Sequence, residues 1–133
     1  MDDCIFCKIV KGEIPCHKVY EDDSFLAFLD IKPMNLGHVL VIPKEHARWV
    51  WDVEAVGAYF EVVKKIANAQ KKAFNTDYVV SSVMGQEVPH AHVHLIPRFA
   101  GDGHGEGVDL GNTKAFSKEE MLEIAGKIAK ELE

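Results

Sequence analysis

The chain of 133 residues lies within the roughly 100–200 residues of one domain, and its 47% apolar and 9% aromatic content excludes disorder as the main state. Fifteen basic against twenty-one acidic residues leave a net charge of −6, so no general attraction to nucleic acid or anionic lipid is available. No apolar run approaches the roughly 18 residues of a membrane span, and Met1-Asp2-Asp3 lacks the basic start of a secretory signal, so a cytoplasmic protein without membrane partners is expected.

In chain order, residues 18–29 predict two short strands around an acidic turn at Glu21, Asp22 and Asp23. A loop follows through Pro33 and Gly37, then a buried strand His38–Ile42 stopped by Pro43. Val53, Val56, Phe60, Val63, Ala67 and Phe74 recur at three- and four-residue steps, which predicts an amphipathic helix over 53–74 with Asp52 as its N-cap. Residues 78–83 and 90–96 read as two more strands, separated by a loop at Met84-Gly85-Gln86-Glu87. Half of the ten glycines fall between Gly101 and Gly111, so 100–113 is expected to be a mobile loop. Ser117-Lys118-Glu119-Glu120 is a capping box that opens a C-terminal helix over 117–132. Five strands with short connections and two helices predict one α+β domain, 1–133, built on a five-stranded antiparallel sheet.

The seven histidines are the most informative residues. His90-Ala91-His92-Val93-His94 alternates histidine with apolar residues, and a strand puts residues i, i+2 and i+4 on one face. A solvated face would be served as well by Thr, Lys or Glu. Three imidazoles could instead bind a catalytic metal, or one could act as a nucleophile tuned by the others. Spacing leaves both open. Cys4-x-x-Cys7 is by itself compatible with redox, metal or chance readings. With Cys16 the cysteines number three, too few and odd for a disulfide scaffold.

The pattern His-x-His-x-His followed by apolar residues resembles the histidine triad (HIT) superfamily of nucleotide hydrolases and transferases. Further blocks resemble it in order: Cys4 to Pro15, Val19 to Asp22, Leu26 to Pro33, Gly37 to His46, and Gly85-Gln86. The resemblance implies a covalent nucleotidyl intermediate on His92, with His94 and His38 donating hydrogen bonds to non-bridging phosphate oxygens. It implies that Asp30 accepts from the ribose hydroxyls, and that Ile5, Phe6, Ile9, Phe28, Leu40 and Val88 surround the purine, Leu40 serving core or pocket. Gly85 and Gln86 fall on the phosphate side. Some such proteins hold one structural zinc through residues matching Cys4, Cys7, His46 and His90, which makes 1–17 a zinc-associated segment. No organic cofactor is implied. A homodimer is, with the two sheets joined into ten strands and the helix over 53–74 across the join. His17, His104 and Cys16 match no family role and read as surface residues.

Two departures bear on activity. Ser81-Ser82-Val83-Met84 stands where many members carry a longer loop containing Asn-Gly, and Glu87 replaces the usual Ser or Thr after the glutamine. A carboxylate accepts hydrogen bonds and repels phosphate. The leading expectation is hydrolysis of a nucleoside 5'-phosphoramidate or related nucleotidyl bond. Dinucleoside polyphosphate hydrolysis and a purine-nucleotide-binding module of weak turnover are the alternatives. With no Walker-type loop, binding is expected to rest on imidazoles, backbone amides and the purine pocket, with Arg98 nearby.

Overall fold

The computed structural model describes residues 3–133; Met1 and Asp2, the start of the expected zinc-associated segment, lie outside them. Strands β1 (Lys18–Glu21), β2 (Phe25–Leu29), β3 (Val39–Pro43), β4 (Val79–Ser82) and β5 (Val93–Pro97) form one antiparallel sheet in the order β1-β2-β3-β5-β4. Helix α1 spans Ile5–Val10, α2 Val56–Phe74 and α3 Lys118–Lys130. The α+β class and the five antiparallel strands are as expected. The third helix, α1, is not. Its six residues are too few for periodicity to announce, and its start is set locally, where the Cys4 sulfur accepts from the Cys7 N–H at 3.4 Å.

Alternation along the strands divides the sheet into two buried faces. Phe25, Ala27 and Leu29 of β2, Val39 and Val41 of β3, and Val93 and Leu95 of β5 join the larger core with α2 and α3. Leu26 and Phe28 of β2, with Leu40 and Ile42 of β3, face the other way and pack with Cys4 and Phe6 of the N-terminal segment. On the larger side the Tyr59 ring stacks on Phe25 at 5.3 Å, and its hydroxyl donates to the Val41 carbonyl at 2.6 Å. Gln70, fully buried, donates to the carbonyls of Gly37 and Leu95 and so ties α2 to the loop before His38. Gly37 itself has φ +80, and a Cβ there would overlap the Phe74 ring, so only glycine lets the loop pass this close to the helix.

Several boundaries differ from the sequence expectation. Asp52 does not cap α2: it ends a 3₁₀ turn, Val50–Asp52, after Val50 has buried itself, and the chain is extended at Val53 before the helix begins. The buried face of α2 is Tyr59, Val62, Val63, Ile66, Ala69 and Gln70. Val56 and Phe60, expected on that face, point outward. The capping box of α3 is present in full, Ser117 and Glu120 each accepting the other's backbone N–H. The ladder of β5 starts at Val93 rather than His90, because the Ala91 N–H donates to the Ala47 carbonyl at 2.7 Å instead of to a neighbouring strand. No helix among the described residues is long and apolar enough to cross a membrane.

Candidate active site

The triad histidines lie on the side of the sheet that carries Phe28 and Leu40, while Ala91, Val93 and Leu95 enter the larger core, as alternation requires. All three are buried rather than displayed to solvent. In the ladder His94 stands opposite Leu40 on β3 and Ser82 on β4, which brings His38, at the entrance of β3, against His94.

Proton positions follow from donors and acceptors that cannot change roles. The Met34 N–H donates to His38 Nδ1 at 3.1 Å, so that nitrogen is bare and the proton of the neutral ring is on Nε2. His38 Nε2 lies 2.9 Å from His94 Nδ1, which must therefore accept, leaving the His94 proton on its own Nε2. Both rings are held neutral. Burial first, and then the His94 imidazole, push the His38 pKa down to about 3; burial and then His92 push His94 down to about 4. His92 has the opposite arrangement, since its Nδ1 donates to the His90 carbonyl at 2.7 Å and the neutral ring keeps a lone pair on Nε2. The His92 and His94 rings are 5.0 Å apart, so a lone pair and an N–H donor sit side by side.

Of the expected partners, Asp30 and Phe6 reach these rings directly. Asp30 Oδ1 accepts the Lys32 N–H at 2.9 Å and Oδ2 stands 3.6 Å from His38 Nε2. Burial raises the Asp30 pKa despite the Lys32 bond and the nearby His92, and Glu87 adds to the rise. Phe6 meets Phe28, His90 and His92 edge-on at 5.6, 5.8 and 5.2 Å. Leu40 is buried with Phe6 and Phe28, while Ile9 and Val88 pack partly buried against them. Ile5 is 43% exposed at the rim. Gly85 is buried and Gln86 and Glu87 are exposed on its turn.

Asp30, His38 and His94 also bring three ligand-type atoms within 4.8 Å of one another. With His38 Nδ1 engaged by a backbone amide and Nε2 protonated, that ring has no lone pair for a metal, and the group reads as a hydrogen-bonded chain. Cys4, Cys7, His46 and His90 are different. His90 Nε2 donates to the Pro43 carbonyl at 2.8 Å, which turns a bare Nδ1 toward Cys4 Sγ at 3.3 Å, Cys7 Sγ at 3.5 Å and His46 Nδ1 at 3.2 Å. Cys7 Sγ and His46 Nδ1 are 3.3 Å apart. A tetrahedron with zinc bond lengths has N–N and N–S edges of about 3.3–3.6 Å, so these donors fit one. Burial and then Cys4 push the Cys7 thiol up, a cost that a bound cation would reverse.

Sequence reading missed one contributor and misplaced another. Arg48, two residues after His46, stacks its guanidinium over Trp49 at 3.8 Å and donates from Nη1 to the Gly85 carbonyl at 2.9 Å. Gly85 has φ +108 and lies against the Trp49 ring, so this pair holds the Gly85-Gln86 turn. Adjacency to His46 was the only available signal. Arg98 is instead consumed by Asp102 and by loop carbonyls. His17, His104 and Cys16 are all half-buried rather than surface residues: His104 Nε2 donates to the Met34 carbonyl at 2.7 Å, and Cys16 packs on the smaller core.

His38 and His94, two of the three histidines whose pKa burial lowers, contribute to the acid response. Unfolded, each takes up a proton near pH 6.5; folded, they wait until about 4 and 3, so acid favours the unfolded chain in between. The urea midpoint should be level above about pH 6.5 and fall toward pH 4, with a shallower slope in His38→Gln or His94→Gln protein. Unchanged slopes in both variants would remove this assignment.

The HIT domain profile matches residues 11–101. The chain is 45% identical over 130 residues to an uncharacterised HIT-like protein of Methanocaldococcus jannaschii, covering 92% of this chain and 99% of that one. It is 39% identical over 132 residues to the adenosine 5'-monophosphoramidase of Schizosaccharomyces pombe, covering 97% and 98%. Among solved structures, a HIT-like protein of Bartonella henselae superposes with a TM-score of 0.87 at 36% identity, covering 99% of this chain and 98% of that one. A zinc-bound histidine triad protein of Mycobacterium smegmatis gives 0.78 at 30% identity, covering 98% and 94%. With the triad, the sheet and these relatives in agreement, the chain belongs to the HIT family.

Proposed function

We propose that this chain hydrolyses a nucleoside 5'-phosphoramidate or a related nucleotidyl bond at the α-phosphate, through a covalent nucleotidyl intermediate on His92. The observation that carries the reading is the opposed pair of rings, with His92 offering a lone pair at Nε2 beside the N–H of His94. His92 Nε2 attacks phosphorus in line; the bond to the amine breaks and the amine leaves with a proton taken from water. Water then attacks the phosphorus and gives up a proton that replaces the one the amine took, the P–Nε2 bond breaks with its electron pair returning to His92, and the mononucleotide is released. His94 Nε2–H donates to a non-bridging oxygen as charge shifts onto it. His38, both of whose nitrogens are engaged, acts through His94 rather than on the phosphate. Asp30 accepts from the ribose, and Phe6, Phe28, Ile9, Leu40 and Val88, with Ile5 at the rim, receive the purine. The relative named as an adenosine 5'-monophosphoramidase supports the substrate class.

Cleavage of an adenylyl-amine is expected to fall by about 10⁴-fold or more in His92→Asn protein, since a nucleophile is lost, while nucleotide binding persists. Labelled nucleotide should be trapped on His92 of the unsubstituted chain. Faster cleavage of a dinucleoside polyphosphate would move the substrate class to that bond. Binding without cleavage of either would leave a nucleotide-binding module.

Zinc fits Cys4, Cys7, His46 and His90, where it would neutralise the two sulfurs and pin α1 to the sheet. The zinc-bound relative supports this. Metal analysis should find one zinc per chain, lost in the Cys4→Ala/Cys7→Ala double variant and retained in His92→Ala. The reverse result would place the metal on the triad.

We also propose a homodimer that joins two sheets into ten strands. Among the described residues β4 is an edge strand paired with β5 alone. Trp51, 72% exposed in the turn before α2, and Val56 and Phe60 on the outward side of α2 are apolar side chains that a second copy would cover. Sedimentation equilibrium at micromolar concentration should give twice the chain mass, and a monomer would remove the proposal.

A further inference from the structure

The glycine-rich stretch after β5 contains no helix or strand, yet it grips the loop that precedes His38. Asp102 is its centre. The Asp102 carboxylate accepts from Arg98 Nε at 2.8 Å and Nη2 at 3.2 Å, from the N–H groups of Phe99 and His104 at 3.0 Å, and from Asn35 Nδ2 at 2.8 Å. These bonds, Arg98 first, hold its pKa far below the usual carboxylate range. Arg98 Nη2 also shares its two N–H groups with the carbonyls of His104 at 3.1 Å and Gly105 at 2.7 Å, and Nη1 donates to the Gly107 carbonyl. The stretch is thereby wrapped around one buried cation.

What it grips is specific. Lys114 N–H donates to the Pro33 carbonyl at 2.7 Å, His104 Nε2 to the Met34 carbonyl at 2.7 Å, and buried Asn35 is bonded to Asp102 and to the Pro97 carbonyl at 2.9 Å. His104 can only donate from Nε2, because its Nδ1 accepts the Asp109 N–H at 2.9 Å. Three successive residues, Pro33, Met34 and Asn35, are therefore each held from outside. The Met34 N–H is left pointing inward, at His38 Nδ1.

We propose that Arg98, Asp102, Asn35 and His104 are positioning residues that hold the Met34 amide against His38 and so keep the His38 proton on Nε2. Without that amide, His38 can carry its proton on Nδ1, and Nε2 then becomes an acceptor facing the bare Nδ1 of His94. Two lone pairs in contact repel, and His94 loses the bond that sets its own donor toward the substrate. The clasp touches no substrate; it acts through Met34 and His38. Its consequence for rate rests on the proposed role of His94 at the phosphate.

Two readouts separate this role from simple support of the fold. Nitrogen-15 spectra of histidine-labelled protein, free of nucleotide, should show His38 protonated at Nε2 and bare at Nδ1. In His104→Ala and Asp102→Ala that signature should move toward exchange between tautomers, and single-turnover cleavage of an adenylyl-amine should slow by about 10- to 100-fold. The dissociation constant for AMP should stay within about twofold. His104→Gln, which keeps a side-chain donor for the Met34 carbonyl, should restore both signature and rate. The proposal is overturned by a His38 proton on Nδ1 in the unsubstituted protein, or by folded variants with an unchanged signature and rate. Should Asp102→Ala not fold, the His104 pair decides. Absence of cleavage by the unsubstituted protein would count against the proposed function, and the nucleotide-free spectra would still decide the clasp.

Discussion

A backbone N–H can only donate, and the one on Met34 meets a ring nitrogen of His38 that must then accept. From that contact the proton order runs outward without a choice at any step, through His38 Nε2 to His94 Nδ1 and on to the free N–H of His94. His92 is fixed by the opposite kind of group, a carbonyl, which can only accept and so draws the proton to Nδ1. Two adjacent imidazoles made of the same atoms thus present different chemistry to one space. Burial protects the difference, because it keeps His38 and His94 neutral where a solvated ring would take a second proton in mild acid.

This order depends on the sheet being buried on both sides. Strand alternation sends Val39, Val41, Val93 and Leu95 under α2 and α3 and sends Leu40 and His94 to the other face. A slip of one residue in the pairing of β3 with β5 would exchange the two sets and bury the wrong ones. Gln70 guards the arrangement from the helix side by bonding the carbonyls of Gly37 and Leu95, one beside His38 and one beside His94. The larger core and the histidine face are therefore parts of one register, and neither can be altered alone.

His90 joins the cysteine cluster to the face that carries His92 and His94. Its Nε2 is fixed by the Pro43 carbonyl, its Nδ1 faces Cys4, Cys7 and His46, and its own carbonyl holds the His92 ring. A group bound at the cluster would steady the carbonyl that sets the His92 tautomer. Two residues after His46, Arg48 holds the Gly85 carbonyl. In a chain of net charge −6, the site is built from imidazoles and backbone dipoles rather than a field of cations.

Much of this was legible in the amino-acid order. The family resemblance tied Cys4, Cys7 and His46 to His90; alternation placed the strands, Ser117 and Glu120 announced the last helix, and the spacing of His90, His92 and His94 put three rings on one face. The last three are local signals, carried by residues a few positions apart. Long-range contacts left no such trace. The outward turn of Val56 and Phe60, the use of Arg48 on Gly85, and the consumption of Arg98 by Asp102 depend on which side chains meet across the fold. The sequence by itself determined which residue types were available for chemistry. Tertiary structure decided which nitrogen of each ring holds the proton, because that depends on a donor or acceptor delivered by another segment of the chain.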